Sequence, residues 1–187
     1  MRNAERYAVV DVETTSGDPR IAGIMEVAII LTDGRSALER WSSLVHPQGP
    51  IDFFVGRLTG ITPAMVRDAP RFGEVAAVIE RMTEGTTIVA HNTRFDMTAL
   101  ATAFARQGRS FRRDSLCTEQ LSRQFFPHLK LHNLNSLCLH MGVNRRGNHR
   151  AMVDAMACAE AFAMLLATFG EARMMAACLP QQLRLSA

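Results

Sequence analysis

Tyr7-Ala8-Val9-Val10-Asp11-Val12-Glu13-Thr14-Thr15 is the stretch from which the rest of the chain is read. Its apolar run, Tyr7 to Val10, reads as a buried strand. Side chains two apart on a strand share a face, so Asp11 and Glu13 point the same way at its end. Two carboxylates on one side of a core strand repel each other, and burial sharpens the repulsion. A hard divalent cation with oxygen ligands is the fitting compensation. The competing reading places Glu13 already outside the strand, with both acids in a wet loop.

Outward from this stretch, Ile24 to Leu31 reads as a second strand, Asp33-Gly34 as a hairpin turn, and Leu38 to Val45 as a third strand. Short connections make these an antiparallel meander. Glu26, inside the second strand, reads as a paired or edge-facing acid rather than a ligand. Pro47 to Pro50 is a loop. Thr62 is a good N-cap with Pro63 in the first helical position, so a short helix runs through Val66. Phe72 to Met82 has helical spacing. The β-branched run Thr86 to Ala90 reads as a strand that delivers His91-Asn92 at its end.

A helix follows from Arg94 to Arg106, then a short last strand from Phe111 to Leu116. Further helices span Thr118 to Phe126, Leu131 to Met141 and Arg150 to Phe169. That order describes an α/β domain, a mixed sheet with helices on its faces. Residues 1–170 form the domain and residues 171–187 are expected to be a C-terminal tail.

The 187 residues, 48% of them hydrophobic, suit one soluble globular domain with a sizeable core. A net charge of +3 is mild. Lys130 is the only lysine; arginine suits phosphate recognition, yet a GC-rich coding sequence would also yield it. Cys117, Cys138, Cys158 and Cys178 include no CxxC pair, which argues against zinc and for reduced thiols. No apolar run is expected to span a membrane, and no signal-peptide core follows Met1 to Arg6, so the expected location is cytoplasmic.

Two further stretches place acids at element ends. Asp96 falls in the first turn of the helix after His91-Asn92, where an acid also suits the helix dipole. Asp154 lies on the small-residue face of the long helix, beside Ala151, Ala155 and Cys158. An acid on a face that packs closely must be paired or bind a metal. His149, five residues earlier, would not share that face on a continuous helix, so it belongs to the preceding loop. Four carboxylates and one histidine thus gather at element ends.

These stretches resemble a known family. Asp11-x-Glu13-Thr14-Thr15, His91-Asn92-x-x-Phe95-Asp96 and His149-x-x-x-x-Asp154 are similar to the three motifs of the DnaQ-like, DEDDh-type 3′→5′ exonucleases. Leu58-Thr59-Gly60-Ile61-Thr62, Asp68-Ala69-Pro70, Leu116-Cys117-Thr118 and His132-Asn133-Leu134 resemble the branch containing the epsilon subunit of DNA polymerase III. They also resemble the exonuclease domain that some bacteria fuse to a UvrC-type nuclease. The likeness covers Tyr7 to Phe169.

The resemblance implies an RNase H-like sheet of five strands in the order 3-2-1-4-5. It implies two divalent ions, Mg²⁺ or Mn²⁺, held by Asp11, Glu13, Asp96 and Asp154, with His149 as general base. The product would be a nucleoside 5′-monophosphate from a DNA 3′ end, in proofreading or repair. Thr14, Thr15, Leu58, Ile61, His91, Asn92 and Phe95 are the expected substrate contacts, and Arg145, Arg146 and Arg150 flank the histidine. The expected partners are the 3′ end of single-stranded DNA and a DNA polymerase. Gln182-Leu183-Arg184-Leu185 faintly resembles a sliding-clamp-binding peptide without its final aromatic. The same chemistry on RNA, and a non-catalytic nucleic-acid-binding module, stay open as alternatives.

Overall fold

A computed structural model describes residues 6–144, 147 and 149–176. Five strands form one sheet: β1 (Tyr7–Thr14), β2 (Ile24–Thr32), β3 (Ala37–Leu44), β4 (Thr87–Ala90) and β5 (Ser115–Cys117), in the spatial order β3-β2-β1-β4-β5. β1 to β3 pair antiparallel, while β4 runs parallel to β1 and β5 parallel to β4. The expected α/β class and strand order are both present. β1 continues through Asp11, Val12 and Glu13, so Glu13 lies within the strand and not in a loop beyond it.

Helices cover both faces. α7 (Ala151–Phe169) packs on Tyr7, Val9, Ala28 and Ile30, joined on that face by α5 (Thr118–Phe125) and α6 (Leu134–Met141). α3 (Phe72–Thr83) and α4 (Thr93–Ala105) cover Ala8, Val10, Val12, Val27 and Ile29 on the other face. Strand alternation therefore puts Asp11, Glu13 and Glu26 on the α7 side. A smaller cluster of Met25, Ile61 and Val66 lies beside α1 (Phe53–Thr59) and α2 (Pro63–Val66).

Several boundaries differ from expectation. α1 has no counterpart in the expected elements; Asp52 caps it by accepting the amide protons of Phe54 and Val55. α6 begins at Leu134 rather than Leu131 because Asn133 is its cap, accepting from the Ser136 amide at 2.9 Å. The last strand is only Ser115–Cys117; Phe111 fills the core from a loop, stacked on Phe104 with ring centroids 4.7 Å apart.

The tail expected from residue 171 starts as a helix, α8 (Glu171–Ala176). Its Met174 is fully buried, and the Tyr7 hydroxyl donates to Glu171 Oε1 at 3.1 Å. The remainder of that tail, including Cys178 and the clamp-like peptide at Gln182 to Leu185, lies outside the described residues, as do Arg145 and Arg146.

The expectation of no membrane-length apolar run needs correction: α7 has 19 residues and a mean hydropathy of 1.6, enough by length and composition to cross a bilayer. Its buried face, from Ala151 through Asp154 and Cys158 to Leu165, is instead packed on the sheet. Cys117, Cys138 and Cys158 are buried, as expected.

Candidate active site

Asp11 and Glu13 project from β1 toward α7, and Asp154, one turn into α7, projects back. Asp154 is buried and the two strand acids are half-buried. One carboxylate oxygen from each residue lies within 4.8 Å of the other two. Three carboxylates this close repel one another unless a cation joins them, and an all-oxygen donor set suits a hard divalent ion. The residues present therefore fit a metal. Ala151, Ala155 and Cys158 line the same face of α7, and these small side chains let the helix approach the sheet closely enough for Asp154 to reach β1.

Asp96 arrives from the opposite side of β1. The β1–β4 ladder ends at Val9, which leaves the amide of Val12 to be met by a side chain, and Asp96 Oδ1 accepts it at 3.1 Å. Burial pushes the Asp96 carboxyl well above the usual carboxylate range. The Val12 amide and its own backbone amide pull it down, and the charge of Glu13 adds to the rise. A β-bulge between Glu13 and Thr14 ends the regular β1–β2 pairing at the end of the strand that carries the two acids.

Among the described residues, Asn92 and His149 are the two non-glycine positions with positive φ, at 70° and 54°. Left-handed backbone is uncommon outside glycine and collects at functional sites. Asn92 precedes α4, and His149 stands two residues before the start of α7, in the loop as expected. His91 Nδ1 hydrogen-bonds Thr118 Oγ1 at 3.0 Å, tying the end of β4 to the start of α5.

Glu26 proves to be a paired acid. It is 5% exposed, and Arg150 grips it twice, Nη2 to Oε1 at 2.7 Å and Nε to Oε2 at 3.0 Å. Oε2 also accepts the Ala151 amide at 2.9 Å. Hydrogen bonding to Glu26 holds Arg150 more firmly charged, and the nearby Glu13 adds to this. Arg150, one of the arginines flanking the histidine, thus has its guanidinium engaged by Glu26.

The remaining expected contacts divide. The Thr14 hydroxyl donates to the Ser16 carbonyl at 2.7 Å, and Thr15 Oγ1 accepts the Gly23 amide at 3.0 Å, so both shape the turn after β1. Ile61 is buried in the small core cluster, whereas Leu58 is 57% exposed. Asn92 is exposed and Phe95 half-buried; both line one cleft with Arg94, Met97 and Thr98 on α4 and Gly17 to Arg20 in the turn.

Sequence reasoning missed Phe53 and Phe54. They are 69% and 78% exposed, edge to face with centroids 5.7 Å apart, and the Arg57 guanidinium sits over the Phe53 ring. The Asp52 amide donates to the Thr15 carbonyl at 2.9 Å, which holds this pair beside the end of β1. The signal was the N-cap residue Asp52 just ahead of them.

An exonuclease family model, RNase_T, matches residues 8–162. The chain belongs to this family. It is 34% identical over 154 residues to the PolC-type DNA polymerase III of Bacillus cereus, covering 82% of this chain and 11% of that one. It is 32% identical over 162 residues to the DNA polymerase III subunit epsilon of Aquifex aeolicus, covering 86% of this chain and 80% of that one. Thus it spans about a tenth of the PolC relative's length. Among solved structures, an Exonuclease X complex with 5′ overhanging duplex DNA superposes with a TM-score of 0.74 at 28% identity, over 91% of this chain and 97% of that one. The resemblance read from the three motifs is thereby established as kinship.

Proposed function

We propose that the protein is a metal-dependent 3′→5′ exonuclease that removes nucleoside 5′-monophosphates from the 3′ end of single-stranded DNA, in proofreading or repair. The observation that carries this reading is the convergence of Asp11, Glu13 and Asp154 where β1 meets the first turn of α7. Family membership supports the reaction class, and the names of the relatives support DNA as substrate.

Asp11, Glu13 and Asp154 would hold one divalent ion, Mg²⁺ or Mn²⁺, and Asp11 with Asp96 a second. Such a pair supplies Lewis-acid stabilisation of the attacking and leaving oxygens of an in-line displacement. His149 takes the proton of the attacking water, a role worth about 10²–10⁴-fold. Asp96 ties its own helix to β1 through the Val12 amide, so the acids of both faces keep one frame. Asn92 and Phe95, which line the cleft beside α4, would contact the last nucleotides. Phe53, Phe54 and Leu58 offer flat apolar surface for unpaired bases, whose stacking tolerates any sequence. A DNA polymerase is the partner that the relatives suggest, and the activity would then lie inside the cell.

The test is digestion of single-stranded DNA labelled at its 3′ or 5′ end, beside RNA of the same sequence, with Mg²⁺, Mn²⁺ or EDTA. Stepwise loss from the DNA 3′ end is expected, abolished by EDTA and by Asp11→Ala and sharply reduced by His149→Ala. Preference for RNA would overturn the choice of substrate. Absence of hydrolysis from folded wild-type protein would overturn the reaction.

A further inference from the structure

Glu26 is costly where it stands. It lies directly opposite Glu13 in the β1–β2 ladder, on the same face, and is buried. Like charges facing each other across a ladder destabilise a sheet. Neither of its oxygens is spare, since both are taken by Arg150 and one of them also by the Ala151 amide. It is not among the acids whose oxygens converge with Asp11.

What Glu26 holds is the start of α7. The capping position there is Arg150, whose side chain makes no capping bond. An orphan amide of the first turn is satisfied instead by a carboxylate 125 residues away on β2. Charge at that position also favours the positive end of the helix dipole. The residue before Arg150 is His149, held at φ 54°. Fixing Arg150 by two bonds and Ala151 by one therefore fixes the backbone from which His149 projects, and the first turn that carries Asp154.

Resting on the exonuclease reading, we propose that Glu26, acting through Arg150 and the Ala151 amide, is the positioning residue for His149, the general base. The sheet strand that pairs with the metal-ligand strand thereby sets the base against the same frame as the metal ligands. Bidentate geometry is what makes the hold directional, and a lysine cannot reproduce it.

The test is a double-mutant cycle on single-stranded DNA hydrolysis with Mn²⁺. Glu26→Gln and Arg150→Lys are each expected to lower kcat by about tenfold or more, since small misplacements of a reacting group are costly. KM and the affinity for Mn²⁺ should stay within about twofold, and in the His149→Ala background Glu26→Gln should cost little further. Arg150→Lys is the second route should Glu26→Gln fail to fold, and its melting curve reports that. An equal loss from Glu26→Gln with and without His149, or a weakened Mn²⁺ site, would overturn the proposal in favour of general support of the acids. An unchanged kcat in both variants would overturn it outright. Wild-type protein that hydrolyses nothing would instead overturn the exonuclease reading on which it rests.

Discussion

Glu13 and Glu26 face each other across the β1–β2 ladder, yet only Glu13 joins the candidate metal site, because Arg150 and the Ala151 amide take both oxygens of Glu26. The same strand pair therefore carries one acid in the candidate metal site and one tied to the start of α7.

This gives a first prediction. The metal-free protein carries Asp11, Glu13 and Asp154 at close quarters, so a divalent ion should stabilise it. Mn²⁺ at a hundred times its Kd should add about 2.7 kcal/mol to unfolding. Asp154→Asn should abolish most of that gain while raising the melting temperature of the metal-free protein. Thermal melts with Mn²⁺ and with EDTA check both halves.

Asp96 gives a second. Burial raises its carboxyl pKa in the folded state. A raised pKa means that the folded protein binds a proton more readily than the unfolded chain, so this group adds stability as pH falls through its folded value. At neutral pH it is a cost. Asp96→Asn keeps the acceptor for the Val12 amide and removes the charge, so the variant should melt higher than wild type in EDTA at pH 8. That gap should close as the pH is lowered, and hydrolysis should be lost at every pH.

Phe53 and Phe54 give a third. If unpaired bases rest on them, each replaced ring should cost about 1–3 kcal/mol of binding. Phe53→Ala and Phe54→Ala should then raise KM for single-stranded DNA about 5-fold or more, with kcat and melting temperature near wild type, since both rings are largely exposed. Steady-state kinetics on a dinucleotide and a longer strand separate this from a contact with the terminal nucleotide, because only the longer strand should lose affinity.

The fourth concerns the end of the domain. Met174 is fully buried and Glu171 accepts the Tyr7 hydroxyl. Ending the chain after Gly170 should destabilise it by at least as much as Met174→Ala, about 2–5 kcal/mol. Urea melts of the two variants beside wild type measure this.

Much of this was legible locally. β1 could be read because its apolar run and its two alternating acids are contiguous, and the long helix because its small residues recur at helical spacing around Asp154. The placing of His149 in a loop followed from the angle that five residues subtend on a helix. α1 escaped because its exposed phenylalanines show no amphipathic pattern, and its one local sign was Asp52. β5 escaped in part because three residues in a parallel edge strand carry too little pattern, and Phe111 is buried without being in it. Glu26 could be expected to be paired, but Arg150 is 124 residues away and no local spacing announces it.

Asp11 and Asp154 stand 143 positions apart in the chain and meet only when α7 docks on β1. During synthesis the N-terminal strands emerge first and the helix with the last carboxylate follows after most of the domain, at about 5–20 residues per second. On the exonuclease reading, a nascent chain would therefore lack the complete cluster of acids for several seconds. A chain terminated before α7 would carry Asp11 and Glu13 without the third carboxylate of their cluster.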